Sequence, residues 1–235
     1  MKKIAFFLFA ALTLGLASCE YDNYDAPNTT LSGRVVYDGQ AVNVKNNQVS
    51  FRLYEPGWEL SSSTYTTVQV AQDGTFSASV YTGKTYKLIR VENVGPWVNP
   101  TAADTITVSN CAGGQTVDMP VTPYYLLENA SVACAGKIVT GTCLIREVTA
   151  GKRIEKVGLY SGRNLIVDDT YNFGYSETTE VQPGSSVSLT VDLNGLSVNS
   201  TANSLPSTGF IYARMGLKIE GIDAMVYTEP FKLAI

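Results

Sequence analysis

Three aromatic residues fall two apart in the stretch Asp168-Asp169-Thr170-Tyr171-Asn172-Phe173-Gly174-Tyr175. On a β-strand, Tyr171, Phe173 and Tyr175 share one face and form an aromatic ladder beside Asn172. Flat rings stack on the faces of pyranose sugars, while amide and carboxylate groups take the hydroxyls. Such a ladder is a platform along which an extended glycan can lie. The alternative is that the three rings pack inward against a partner sheet. Trp58, in Glu55-Pro56-Gly57-Trp58-Glu59, and Trp97, in Gly95-Pro96-Trp97-Val98-Asn99-Pro100, offer the same chemistry from loops, where binding residues concentrate. Glu59 and Asn99 stand near them as hydroxyl partners. Here the alternative is that both tryptophans plug the ends of a core, Trp97 more so.

The chain contains no histidine. That removes Ser-His-Asp and Cys-His arrangements, the commonest metal ligand and the usual base at neutral pH. Asp168 and Asp169 are candidates for opening a calcium site or for a pair of catalytic carboxylates. Neighbours on a strand point to opposite faces, however, and a glycosidase needs two carboxyls roughly 5–10 Å apart across a cleft. The expectation is a protein that is not an enzyme and carries no metal and no cofactor. Besides Cys19 there are Cys111, Cys134 and Cys143. One pair of these three can close, and Cys134 facing Cys143 across a hairpin is the candidate disulfide. Their spacing matches no zinc motif.

The elements that must position these residues read as strands. Val49, Phe51 and Leu53 alternate with polar neighbours, as do Phe76, Ala78 and Val80, then Val187, Leu189 and Val191. The longest such run is Ile211, Ala213, Met215, Leu217 and Ile219, interleaved with Tyr212, Arg214 and Lys218. Each pattern buries one face and wets the other, as in antiparallel sheets. Turn signals fall between them: Asp38-Gly39, Asp73-Gly74, Gly113-Gly114, Pro183-Gly184, Asn194-Gly195. Asp-Gly and Asn-Gly suit hairpins, because a type I′ turn needs positive φ at both central residues. No long stretch keeps a helical period. The fold class is all-β, with many short strands in sandwiches. Pro120 and Pro123 stiffen a junction, which divides the chain into sandwiches over 30–122 and 123–235.

The first residues, Met1-Lys2-Lys3 and then an apolar run from Ile4 to Leu16, read as a signal peptide. The run is too short for a mature transmembrane helix of roughly 20 residues. It ends in Leu16-Ala17-Ser18-Cys19, which resembles the lipobox of bacterial lipoproteins. The resemblance implies cleavage after residue 18 and lipid on Cys19; two or three acyl chains anchor stably. Residues 19–29 form an acidic tether, whose Glu20, Asp22 and Asp25 resemble signals that send such lipoproteins to the cell surface. The expected location is therefore the outer membrane, facing outward, with lipid as the sole membrane contact. The formal charge of −4 becomes more negative once Lys2 and Lys3 are removed. That argues against nucleic acid as a partner.

The order Gly33-Arg34-Val35, Val49 to Leu53, Asp73-Gly74-Thr75-Phe76 and Gly83-Lys84-Thr85-Tyr86-Lys87-Leu88 resembles the carboxypeptidase regulatory-like, transthyretin-like sandwich. The second half is expected to be immunoglobulin-like. Across the chain, Asp22 to Pro27, Gly95-Pro96-Trp97, Val121 to Tyr124, Ile154 to Tyr160 and Val167-Asp168 are similar to a group of two-domain Bacteroidetes lipoproteins. Members of that group accompany SusC/SusD-like glycan uptake systems. The resemblance implies a non-catalytic accessory role in glycan capture, with a glycan and outer-membrane uptake components as partners. Cys134 and Cys143 depart from it. Asp104-Thr105-Ile106 resembles the acceptor motif for O-glycosylation on Thr105 in the same bacteria. The rival reading is a structural stalk, in which open sheet edges pair with a protein partner in adhesion or assembly.

Overall fold

The computed structural model describes residues 25–58, 64–198 and 203–235. The signal peptide, Cys19, Glu20, Asp22 and Glu59 lie outside the described residues.

The first half is built around β1 (Thr29–Tyr37), β2 (Gln40–Ala41), β3 (Asn43–Val44), β4 (Ser50–Tyr54), β5 (Thr66–Gln69), β6 (Thr75–Val80), β7 (Lys84–Arg90), β8 (Ile106–Cys111), β9 (Gln115–Thr116) and β10 (Met119–Pro120). Strand β1 pairs antiparallel with β2 and β6 and parallel with β9 and β10. A second sheet in the order β5-β4-β7-β8 lies against it. The alternation expected around Phe51 and Phe76 puts both rings between the sheets, edge to face with centroids 5.2 Å apart. The Asp38-Gly39 turn joins β1 to β2 with φ of 50° and 74°, which is the hairpin geometry its residue types favour.

The second half comprises β11 (Tyr125–Ala135), β12 (Ile138–Glu147), β13 (Ile154–Gly162), β14 (Gly174–Thr178), β15 (Ser186–Asp192), β16 (Phe210–Ile219), β17 (Val226–Tyr227) and β18 (Phe231–Ala234). Strands β11-β12-β15 form one sheet; β14-β13-β16-β17 form the other, with β18 also on β16. The inward residues of β15 and β16 meet those of β12 and β13 in a core that includes Val139, Ile145, Leu159, Leu189 and Met215. Gly141 lets the layers approach: a Cβ there would lie 2.8 Å from Leu159 Cδ1. Asn194-Gly195 makes no hairpin. Neither residue has positive φ among the described residues, and the chain leaves β15 to enter β16 in the opposite sheet.

Two features join the halves. Trp97 bridges to Pro123, Val98 N–H donates to the Thr122 carbonyl at 2.9 Å, and Tyr124 N–H donates to the Pro96 carbonyl at 3.2 Å. On the other side, β3 of the first half pairs with β17 of the second, Val44 opposite Val226. One sheet therefore runs across both domains.

The candidate Cys134–Cys143 disulfide is not formed; both thiols are free. The β11–β12 register places Cys134 opposite Val139, four residues short of Cys143. At ~3.3 Å per strand residue that is about 13 Å, beyond the roughly 7 Å that a disulfide tolerates between Cα atoms.

Candidate functional site

Strands β13 and β14 are paired with Tyr160 opposite Tyr175 and Ser161 opposite Gly174. The segment between them, residues 163–173, folds back over the outer face of their sheet. Val167 is its apolar foot, buried with Tyr160, Met225 and Tyr227. Asp168 is its polar foot, fully buried. Asp168 Oδ1 accepts the backbone N–H groups of Thr170 and Tyr171, both at 2.8 Å. Asn172 Nδ2 donates to the carbonyls of Asp168 and Asp169 at 3.0 and 3.2 Å. These short-range bonds are what Asp and Asn form when they compete with strand pairing, and they keep Tyr171 off the sheet.

The next carboxylate faces the first domain. Asp169 Oδ1 lies 2.9 Å from Lys45 Nζ and accepts the Tyr227 hydroxyl at 2.9 Å. Burial works to raise the Asp169 pKa, but the hydrogen bonds from Lys45 and Tyr227 and the positive charges of Lys45 and Lys156 outweigh it, and the carboxyl sits below its ordinary value. Arg214 lies beneath, fully buried. Its guanidinium stands 3.8 Å over the Tyr227 ring and bonds the carbonyls of Val167 and Val44. Burial lowers its pKa to about 10, so it stays charged at neutral pH. The sequence pattern reads Arg214 as a solvent-facing residue of β16. Its burial follows from the loop and the first domain covering what is normally a wet face, and a β-period alone carries no signal of that cover.

Of the two readings of Tyr171, Phe173 and Tyr175, neither holds for all three rings: no one-sided ladder forms, and Phe173 alone packs inward. Strand β14 begins at Gly174, so Tyr171 and Phe173 precede it. Phe173 is half-buried and packs on the main core, whereas Tyr171 and Tyr175 are 65% and 63% exposed. A pocket of about 240 Å³ opens beside Tyr171, lined also by Arg163, Asn164, Ile166, Asn172 and Asn203. Arg163 Nη2 donates to the Ser204 carbonyl and hydroxyl at 3.0 and 3.1 Å. The arrangement offers an exposed ring, amide donors and acceptors and one cation in a small concavity. Asp168 and Asp169 are committed to backbone amides, Lys45 and Tyr227 rather than to a cleft. Among the described residues no group of three or more His, Cys, Asp or Glu is placed to hold a metal ion.

The other candidates separate. Trp97 is 3% exposed, its ring lying over Gly95, and it presents no face to a ligand. Asn99 is spent on Asn93, accepting its N–H at 2.8 Å and donating to its side chain at 3.1 Å. Trp58 is 58% exposed. It stands in a pocket of about 160 Å³ with Glu55, Tyr81 and Lys84, on the first domain and apart from Tyr171. Thr105 is half-buried at the entrance to β8. The preceding Asp104 accepts from Thr101 N–H and pairs with Arg90 at 3.0 Å.

The fold defines a class: an all-β protein of two tandem β-sheet domains, consistent with sandwiches, with one exposed tyrosine on a loop of the second and another on the strand that follows it. Residues 29–122 match the N-terminal domain model of the DUF3823 proteins, described as of unknown function, and residues 125–232 match the corresponding C-terminal domain. The chain belongs to the DUF3823 family. A DUF3823 protein from Parabacteroides merdae is 32% identical, with a TM-score of 0.77 over 89% of this chain and 100% of that one. Another from Bacteroides ovatus is 30% identical, with a TM-score of 0.74 over 88% and 99%. A candidate carbohydrate-binding protein from Bacteroides uniformis shares the fold at 16% identity and a TM-score of 0.69, over 89% and 100%. No curated protein matches the chain.

Proposed function

We propose that this chain is a non-catalytic lipoprotein, anchored through Cys19 in the outer membrane and facing outward, that binds glycan as an accessory to polysaccharide uptake. On this reading the first sandwich is transthyretin-like, the second is immunoglobulin-like, and the neighbouring uptake components are of the SusC/SusD kind. The observation that carries it is the exposure of Tyr171 beside the pocket of Arg163, Asn164 and Asn172. Large aromatic surface is costly to leave in water, and an aromatic face flanked by amides is the chemistry that takes a sugar ring. The name of the Bacteroides uniformis protein is in keeping with this.

The test is affinity electrophoresis and calorimetry of the mature chain without its lipid against a broad polysaccharide panel. Retardation by one glycan class, lost in Tyr171→Ala and weakened in Tyr175→Ala, is the expected result. Silence across the panel, or binding indifferent to both substitutions, would move the weight to the stalk or assembly reading.

A further inference from the structure

The loop that carries Tyr171 belongs to the second domain by sequence, yet much of its hold comes from the first. Lys45 Nζ donates to Thr170 Oγ1 at 2.7 Å while pairing with Asp169. Gln72 Nε2 donates to the Leu165 carbonyl at 3.0 Å. The Val44 carbonyl accepts from Arg214, the same guanidinium that bonds Val167. The first domain thus grips the loop at positions 165, 169 and 170, directly beside the pocket-lining Ile166, Thr170 and Tyr171.

The grip is shielded. The Lys45 and Asp169 side chains are only 17% and 28% exposed, so their charge-assisted bonds are stronger than those of an open surface pair. An unrestrained loop loses conformational entropy when a ligand orders it, and that loss subtracts from affinity; a loop already held does not incur it. We propose that Lys45 and Gln72 are positioning residues for the second-domain pocket, so that the site is complete only when the first domain holds the 163–173 loop. This rests on the glycan reading for its ligand, but not for its geometry.

Hydrogen exchange of the mature chain separates the two. In Lys45→Met, amides across 163–173 are expected to exchange roughly tenfold faster, with β13 and β16 unchanged and Lys45→Arg restoring protection. Gln72→Leu, which leaves the ion pair intact, should loosen the Leu165 end alone and serves if Lys45→Met melts early. For any glycan that the wild type binds, Kd in Lys45→Met should weaken roughly fivefold or more although neither residue touches ligand. Unchanged loop exchange in both variants, or wild-type Kd beside a loosened loop, would overturn the proposal. A wild type that binds no glycan refutes the functional reading alone, and exchange then decides the positioning.

Discussion

Two loops of this molecule hold an aromatic residue one or two positions before an asparagine, and they treat it in opposite ways. At Gly95-Pro96-Trp97 the ring goes inside: a Cβ on Gly95 would lie 2.1 Å from Trp97 Cε2, so glycine alone leaves room for the indole. The backbone of that loop is then tied to the domain junction. At Asp168 to Tyr171 the carboxylate goes inside, collects the amides of Thr170 and Tyr171, and leaves the ring in solvent. Whether an aromatic loop builds core or offers a surface is settled by which of its residues anchors it. A buried polar anchor must be hydrogen-bonded, and once the backbone has turned around it the neighbouring ring is free to face outward.

The sharpest way to break this comparison is to remove the rings. Trp97→Ala deletes a nearly fully buried indole at the junction and should cost about 3–5 kcal/mol of stability. Tyr171→Ala, at a site 65% exposed, should change stability by no more than about 0.5 kcal/mol. Urea denaturation reads both. A small loss at Trp97 would show that the junction does not depend on that ring.

Much of the fold is legible in the sequence because half-buried strands write their geometry as a period of two. The inward residues of β4, β15 and β16 follow their alternation, and Asp38-Gly39 turns as its chemistry dictates. The site is less legible, for one physical reason repeated at three residues. Alternation assumes one dry face per strand, but the outer face of β13 and β16 is covered by the 163–173 loop, which Lys45 and Gln72 of the first domain hold in place, so Arg214 and Tyr160 are buried where the period places them in water. The same cover bends Tyr171 away from the strand on which its spacing from Tyr175 would put it. Phe173, between them, turns toward the core. A loop folded on a sheet is a long-range event, and its one local trace is the Asp168 and Asn172 pair, whose side chains bond backbone rather than solvent.

A pH series sharpens the comparison from the polar side. The Asp169 pKa is depressed in the folded chain, so its contribution is present in full above the unfolded value of about 3.9 and is lost as pH falls through the lower folded value. Asp169→Asn should therefore be less stable than wild type at pH 6, with the gap narrowing as the pH is lowered below the unfolded value toward about pH 3. Asp104 and Glu220, whose pKa values are also lowered, titrate in both proteins and cancel in the difference. A gap that stays constant between the two pH values would mean that Lys45 does not stabilise the charged carboxylate.

The smallest effect is expected at the cysteines, which act as a control for the strand register that frames both loops. Cys143 is buried, and burial pushes its thiol up to about 11; Cys111 is buried and raised by the same cause. Cys134 is half-buried near the end of the β11–β12 hairpin. Thiolate is the reactive form, so a maleimide or disulfide reagent at pH 8 should label Cys134 first and the other two only on unfolding. Cys134→Ser should shift stability by no more than about 0.5 kcal/mol, and a reductant should not move the melting temperature of the wild type. A reductant that instead cost the roughly 2–4 kcal/mol of a native disulfide would require Cys143 to leave the core and β11 to slide about four residues along β12. Such a slide would displace the sheet against which β13 and β16 pack, and with it the platform beneath the 163–173 loop.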